Sequence, residues 1–175
     1  MTKGRILLKL ILDEIGLGGL ELNTFSKRLN LQKRIYLLQL TGMDLRYRYN
    51  WYLRGPYCPS LTQDAFLLRD EIDSKEDDYE KYELTKTAKK KVDKAKSIWK
   101  APSGLGVELG MWVELLASLH YLKHIAYWPG NDVTRDKIFQ KLIETKPQFA
   151  GQDHLIEKAW YRLDEIGLIN NKTLS

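Results

Sequence analysis

Apolar residues recur with the period of an α-helix in seven segments, so the pattern predicts a mostly helical protein. The predicted helices cover residues 5–15, 31–41, 61–72, 86–99, 107–127, a segment around Ile138 that ends at Pro147, and 152–166. Residues able to cap a helix N-terminus precede four of these segments: Asn30, Ser60, Thr85, and either Asp132 or Thr134. Gly16 and Gly42 follow the first two segments and can end them in the left-handed conformation.

The period changes to 2 between residues 45 and 54. This alternation, rich in aromatic side chains, predicts a half-buried β-strand that ends at Gly55-Pro56, because proline donates no hydrogen bond to a sheet. The predicted buried face carries Leu45, Tyr47, Tyr49, Trp51 and Leu53, and the exposed face carries Arg46, Arg48, Asn50, Tyr52 and Arg54. One strand cannot stand alone, and residues 79–84 are predicted as a second short strand after an acidic loop at 73–78.

Together these elements predict a mainly α fold with a small antiparallel β-sheet, of the α+β class. The Pro- and Gly-rich segment 101–106 divides a helical lobe with the sheet, residues 1–100, from a three-helix lobe, residues 107–175. We expect both lobes to pack as one globular unit. The chain from Trp160 to Ile169 resembles a winged-helix recognition helix running into its wing, but six residues remain after Ile169 and the exposed charges are mixed. A winged-helix-like scaffold that does not read DNA is therefore predicted for this lobe.

Composition narrows the class of protein. The chain has 175 residues, of which 43% are apolar and 11% aromatic, enough to bury a core. Its apolar runs are shorter than the roughly 20 residues that span a bilayer, and the N-terminal segment lacks a signal-peptide cleavage pattern. The single cysteine, Cys58, excludes an internal disulfide framework. A cytoplasmic protein is expected.

Charge is arranged in blocks of opposite sign behind a net charge of +5. Residues 27–54 and 86–100 are basic, whereas residues 70–80 are acidic. Such blocks suit an anionic partner, but they can equally neutralise one another across the fold, and a single block is most often a solvated face.

Candidate catalytic groups do not form a set. His120 and His124 share a helix face with Glu114 nearby, but a zinc site needs three or four directed ligands, so no metal site is predicted. Cys58 follows a run of arginines, yet it lies in a turn between Pro56 and Pro59 with no histidine beside it in sequence. The chain has no nucleotide-binding glycine loop, and neither a cofactor nor an enzymatic activity is expected.

Binding is the function that the residue types favour. The predicted partner-binding surface consists of Arg46, Arg48, Tyr52, Arg54 and Tyr57, since tyrosine and arginine are enriched at interface hot spots. The alternative is nucleic-acid binding through phosphate contacts from Lys27, Arg28, Lys33, Arg34, Lys89 and Lys90. Base stacking on the strand is not favoured, because Tyr47, Tyr49 and Trp51 alternate away from the arginines.

Residues 31–39 (LQKRIYLLQ) and 49–61 (YNWYLRGPYCPSL) resemble the YwgA-like family of bacterial and archaeal proteins. The same helix, strand and Gly-Pro turn are similar to the Panacea-type antitoxin domain, which acts by binding partner proteins. Residues 114–119 and 163–169 also suit the YwgA-like pattern. The resemblance implies a mostly helical fold with a small sheet, no established enzyme activity, and a partner that is a toxin or an antiviral defence effector. It transfers no catalytic residue.

Overall fold

The computed structural model describes residues 2–75, 79–131 and 133–170. In these ranges the chain forms seven α-helices and one two-stranded antiparallel hairpin. The helices are α1 Lys3–Glu14, α2 Phe25–Gln39, α3 Pro59–Asp73, α4 Lys86–Trp99, α5 Leu109–His124, α6 Arg135–Thr145 and α7 Asp153–Glu165, and the strands are β1 Asn50–Tyr52 and β2 Gly55–Tyr57. The mainly helical fold class with a small antiparallel sheet is confirmed.

Helix starts follow the side chains that cap them. Thr85 caps α4 as predicted and accepts a hydrogen bond from the Ala88 amide at 3.2 Å. Thr134, not Asp132, caps α6, and Asp132 lies outside the described residues. The prediction of Ser60 as a cap was wrong, because α3 begins at Pro59, whose missing N–H costs nothing in the first turn of a helix.

The predicted start of α2 was also wrong. The helix begins at Phe25, and Thr24 accepts a hydrogen bond from the Lys27 amide at 3.3 Å. Asn30 lies inside the helix, and its buried side-chain oxygen has no hydrogen-bond partner in the described part of the chain. The first turns of α2 are exposed or only partly buried, so apolar residues do not recur there with the period of a helix.

Helix α5 is the centre of the core. From Trp112 to Leu122 every side chain except Glu114 is buried, as expected for a helix that is surrounded by other elements. It packs against α2, α4 and β2, which precede segment 101–106 in the chain, and against α6 and α7, which follow it. One hydrophobic cluster therefore includes residues from both halves of the chain. No helix in the described part of the chain is long and apolar enough to cross a membrane.

The β-structure is shorter than predicted and differently paired. Burial alternates from Leu45 to Tyr52 as expected, but only β1 pairs as a strand. The strand was predicted to extend to Arg54 and to stop at Gly55-Pro56, but β1 stops at Tyr52. Gly55 and Pro56 belong to its partner β2, with Trp51 opposite Pro56. Proline is tolerated because both strands of a two-stranded sheet are edges. The strand predicted at residues 79–84 was wrong too, since Tyr79–Lys81 forms a 3-10 turn.

The C-terminal end of the described chain has no wing. Residues 166–170 form turns after α7, and Leu168 and Ile169 are buried against the core. No strand is present between residue 107 and residue 170 among those described, so a winged helix is not confirmed. Residues 76–78 of the predicted acidic loop and residues 171–175 lie outside the described ranges.

The two candidate caps of α2 give a direct test of its start. Thr24→Ala should lower the free energy of unfolding by about 1 kcal/mol, because the first turn loses its side-chain acceptor. Asn30→Ala should leave it unchanged or raise it slightly, since alanine favours a helix interior. Chemical denaturation of both variants measures the difference, and a larger loss for Asn30→Ala would contradict this helix boundary.

Candidate functional site

The β-hairpin is attached to the helical core through Gly55 at the start of β2. Gly55 is buried and has a positive φ of 82°. A Cβ atom at this position would lie 2.7 Å from Ser118 Oγ of α5 and 3.2 Å from Lys146 Cε. Glycine is therefore required both by the backbone conformation and by the close approach of the hairpin to α5.

Two consecutive side chains of α2 hold the strand that follows Gly55. Lys33 Nζ donates a hydrogen bond of 2.6 Å to the Pro56 carbonyl. Gln32 donates to the Cys58 carbonyl at 2.8 Å and accepts from the Cys58 amide at 2.9 Å. These bonds replace the sheet partner that β2 lacks on its outer edge, so the hairpin is fixed to α2 by side chains.

A second buried lysine lies under the same hairpin. Lys146, just after α6, is 1% exposed and forms an ion pair with Glu114 of α5. Glu114 also accepts a hydrogen bond of 3.1 Å from Gln148. The Lys146 ammonium lies 6.0 Å from the ring centre of Trp51 in β1, within the range of a cation–π contact. The inward-facing side of the hairpin thus meets cationic groups.

Lys33 and Lys146 are both influenced by a single carboxylate, that of Glu114. Burial and, after it, the charge of Lys146 lower the pKa of Lys33 to about 7, with Glu114 opposing both effects. Burial also lowers the pKa of Lys146, although its ion pair with Glu114 favours the charged form. Ser118 adds a buried hydroxyl without a hydrogen-bond partner among the described residues. The hairpin therefore covers a polar cluster that is incompletely balanced in charge.

A pocket of about 350 Å³ opens between the hairpin and the first half of α2. Its apolar lining comes from Phe25 and Leu29 of α2 and from Tyr52, Leu53 and Tyr57 of the hairpin. Three cationic side chains also line it, namely Arg28, Lys33 and Arg54, and no acidic side chain does so among the described residues. The pocket therefore combines apolar walls with positive charge.

The five residues predicted to bind a partner do not all meet in one place. Tyr52, Arg54 and Tyr57 line the pocket, and the Tyr52 and Tyr57 rings contact edge to face at 5.3 Å. Tyr57 is only half-exposed, with its hydroxyl 2.8 Å from Thr62 Oγ1. Arg46 and Arg48 are exposed, but they precede β1. They line a separate shallow depression together with Gln39 and Tyr47.

Leu53 differs most from its predicted position. It was predicted on the buried face, but it lies in the turn between β1 and β2 and is 90% exposed. The strand alternation ends at Tyr52, because the two-residue turn reverses the chain direction there. An exposed leucine at a hairpin tip has no role in the core, which makes it a candidate contact residue.

The residues predicted for nucleic-acid binding do not form one cationic face. Lys33 is buried, with its ammonium bound to the Pro56 carbonyl, so it does not share an exposed face with Lys27. The Arg34 guanidinium is half-buried, 3.2 Å from the Ile15 carbonyl and 5.3 Å from the Trp99 ring. Lys27 pairs with Glu21, and Arg28 donates to the Leu22 carbonyl at 2.6 Å. Lys89 and Lys90 are exposed on α4, a helix that packs against α2.

The histidines and the cysteine have structural positions. His120 is buried and its Nδ1 lies 2.8 Å from the Tyr36 hydroxyl, while His124 Nε2 lies 2.8 Å from the Leu168 carbonyl. Among the residues that the structure describes, no three His, Cys, Asp or Glu side chains are placed to hold a metal. Cys58 is buried at the start of α3, 3.1 Å from Ser60 Oγ.

Glu114, Ser118 and Lys146 were not predicted to lie under the hairpin. Glu114 and Ser118 were a detectable signal, since they are polar residues four apart within the otherwise apolar run of α5. Nothing in the sequence around Lys146 indicates burial, because lysine is almost never buried without a partner. Phe25 also escaped notice, because it precedes the predicted start of α2.

Alanine substitution at two glycines tests whether the hairpin is seated on Ser118. Gly104 also has a positive φ, but no atom lies within 4 Å of a Cβ there, so Gly104→Ala should cost about 1–2 kcal/mol from backbone strain alone. Gly55→Ala should cost about 1–3 kcal/mol more, because the new methyl group meets Ser118 and Lys146.

The free energy of unfolding is measured in urea for each variant. Gly55→Ala is measured both in the wild-type protein and in the Ser118→Ala protein. Removing Ser118 Oγ from the Gly55→Ala variant should recover part of the loss, since it takes away the nearest atom. Equal costs for Gly55→Ala and Gly104→Ala would contradict the close approach.

Comparison with family models, curated proteins and solved structures finds no match to this chain. The resemblance to the YwgA-like family and to Panacea-type domains stays a prediction from the residues that carry it.

Proposed function

We propose that this chain is a non-enzymatic protein-binding module that uses the tip of its β-hairpin and the neighbouring arginines to recognise a partner. The observation that carries the proposal is the position of Leu53, which is 90% exposed at the tip of a hairpin whose base is buried. Large exposed apolar side chains next to polar ones are typical of interaction sites. Tyr52 and Phe25, both about half-exposed, extend the apolar surface beside Leu53.

The arginines specify the kind of partner surface. Arg54 borders the hairpin pocket, and Arg46 and Arg48 lie exposed along the segment that leads into β1. Arginine and tyrosine are the residue types that contribute most to binding energy at protein interfaces. Leu53 has Arg54 beside it, and Arg46 and Arg48 add positive charge around a separate depression. This arrangement fits a partner that presents an apolar side chain and nearby carboxylates.

The base of the hairpin supports recognition by limiting movement. Gly55 contacts α5, and Lys33 and Gln32 bind the strand that follows it. A loop held in this way loses less conformational freedom on binding, which strengthens an interface of given area.

The resemblance to YwgA-like and Panacea-type proteins supports a setting for this function. Within that setting the partner is a toxin or an antiviral defence effector, and the module is an accessory or regulatory protein. Panacea-type domains act by binding partner proteins, which agrees with a surface built from arginine, tyrosine and an exposed leucine.

The second candidate is a nucleic-acid-binding regulator, for which α4 provides the support. This helix exposes Lys86, Lys89 and Lys90 to solvent. A winged-helix-type regulator would use α7 instead, but its solvent-exposed side chains include Asp153, Asp164 and Glu165, which repel phosphate. We therefore place the nucleic-acid hypothesis second.

Quantitative partner capture from the native host separates the two candidates. Four forms are compared: wild type, Leu53→Asp, the pair Arg46→Glu and Arg48→Glu, and the matched pair Lys89→Glu and Lys90→Glu. Both charge pairs change the net charge equally. A partner protein should be retained by wild type and by the Lys89 and Lys90 variant at least about tenfold better than by the other two.

Equal yields from all four forms would rule out this surface as the binding site. Loss of binding with the Lys89 and Lys90 pair alone, together with affinity for duplex or single strands that falls steeply with salt, would support the nucleic-acid candidate instead.

A further inference from the structure

We propose that the hairpin pocket binds the carboxyl-terminal residue of a partner polypeptide, with the terminal carboxylate beside Lys33 and an apolar side chain against Phe25 and Leu29. This inference rests on the proposed protein-binding function and names the group that the pocket recognises.

The first support is a buried lysine without an ion pair of its own. Lys33 is 1% exposed and lines the pocket, and among the described residues its one hydrogen bond goes to the Pro56 carbonyl, although an ammonium group has three donors. The nearest carboxylate, Glu114, is already held by Lys146 and Gln148. Lys33 has no ion pair with any described residue. A ligand carboxylate would supply the missing charge and accept a strong hydrogen bond.

The second support is the charge of the pocket as a whole. Arg28 and Arg54 lie on its wall with Lys33, and no carboxylate of the described chain lines it. Arg28 already donates to the Leu22 carbonyl, which fixes its guanidinium at the side of α2. Three cations around one small space favour a single anionic group over an internal stretch of neutral polypeptide.

The size of the pocket identifies that group. At about 350 Å³ the pocket is near the lower end of the range for ligand pockets, so its apolar and cationic sides must be filled by one small unit. Within a polypeptide, one residue carries both an apolar side chain and a carboxylate only at the carboxyl terminus. Capture of a terminal carboxylate is a known mode of peptide recognition.

The test is an NMR titration of the ¹⁵N-labelled chain with N-acetyl-leucine, with N-acetyl-leucinamide and with inorganic phosphate. N-acetyl-leucine should shift amide signals of residues 25–33 and 52–57. It should bind at least about tenfold more tightly than N-acetyl-leucinamide, which keeps the apolar side chain but has no negative charge. Phosphate should cause no comparable shifts in these residues.

Two variants assign the preference to the pocket cations. Lys33→Met should reduce the preference for N-acetyl-leucine over its amide more than any other single change, because the lysine is gone while Arg28, Arg54 and the apolar walls remain. Arg54→Gln, at an exposed position that the core does not need, should reduce the preference severalfold, so the test does not depend on the folding of Lys33→Met. Lys90→Gln is the matched control on α4 and should leave the preference unchanged.

Equal affinity for the acid and the amide, shifts outside the pocket, or shifts caused by phosphate alone would each overturn the proposal. Its failure is distinguishable from failure of the proposed function. If N-acetyl-leucine does not bind while Leu53→Asp still abolishes partner capture, the carboxylate inference alone is wrong. If N-acetyl-leucine binds but capture does not depend on Leu53 or the arginines, the hairpin surface is not the partner-binding site.

Discussion

The part of the fold that matters for function depends on the burial of Lys33 and Lys146 beneath Gly55 and Pro56. Burying two lysines beside one carboxylate, that of Glu114, costs stability. The desolvation of a charge is only partly offset by a single ion pair. Apolar side chains of similar volume would fill the same space more favourably. The lysines therefore serve the position of the hairpin and the charge of its pocket more than the stability of the core.

Three elements converge on this cluster for separate physical reasons. α2 contributes Gln32 and Lys33, which bind a strand that has no sheet neighbour on one edge. α5 is buried almost all round, so the polar side chains of Glu114 and Ser118 must find partners under the hairpin or remain without them. The tip of the hairpin, held at its base, carries Leu53 into solvent. A rigid base and an exposed tip are consistent with a surface for recognition.

The helical fold was largely predictable, whereas the site was predictable only in part. The boundaries of α4 follow from Thr85 and from a clear apolar stripe, and the sequence predicts both of its ends. Alternation from Leu45 to Tyr52 correctly separates partly buried aromatic residues from exposed arginines. The pairing of β1 with β2 could not be predicted, because Pro56 argues against a strand unless both strands are known to be edges. The burial of Lys33 and Lys146 depends on contacts distant in sequence, and lysine ordinarily predicts an exposed position.

The titration of Lys33 tests this account most directly. Its side-chain carbon signals can be followed by NMR in protein labelled with ¹³C at the lysine ε-position, and comparison with Lys33→Met assigns them. Because burial and the charge of Lys146 favour the neutral amine, the pKa of Lys33 should be about 7. A titration near the ordinary lysine value of 10.5 would mean that the ammonium is solvated, and would contradict a hairpin seated on a buried cationic cluster.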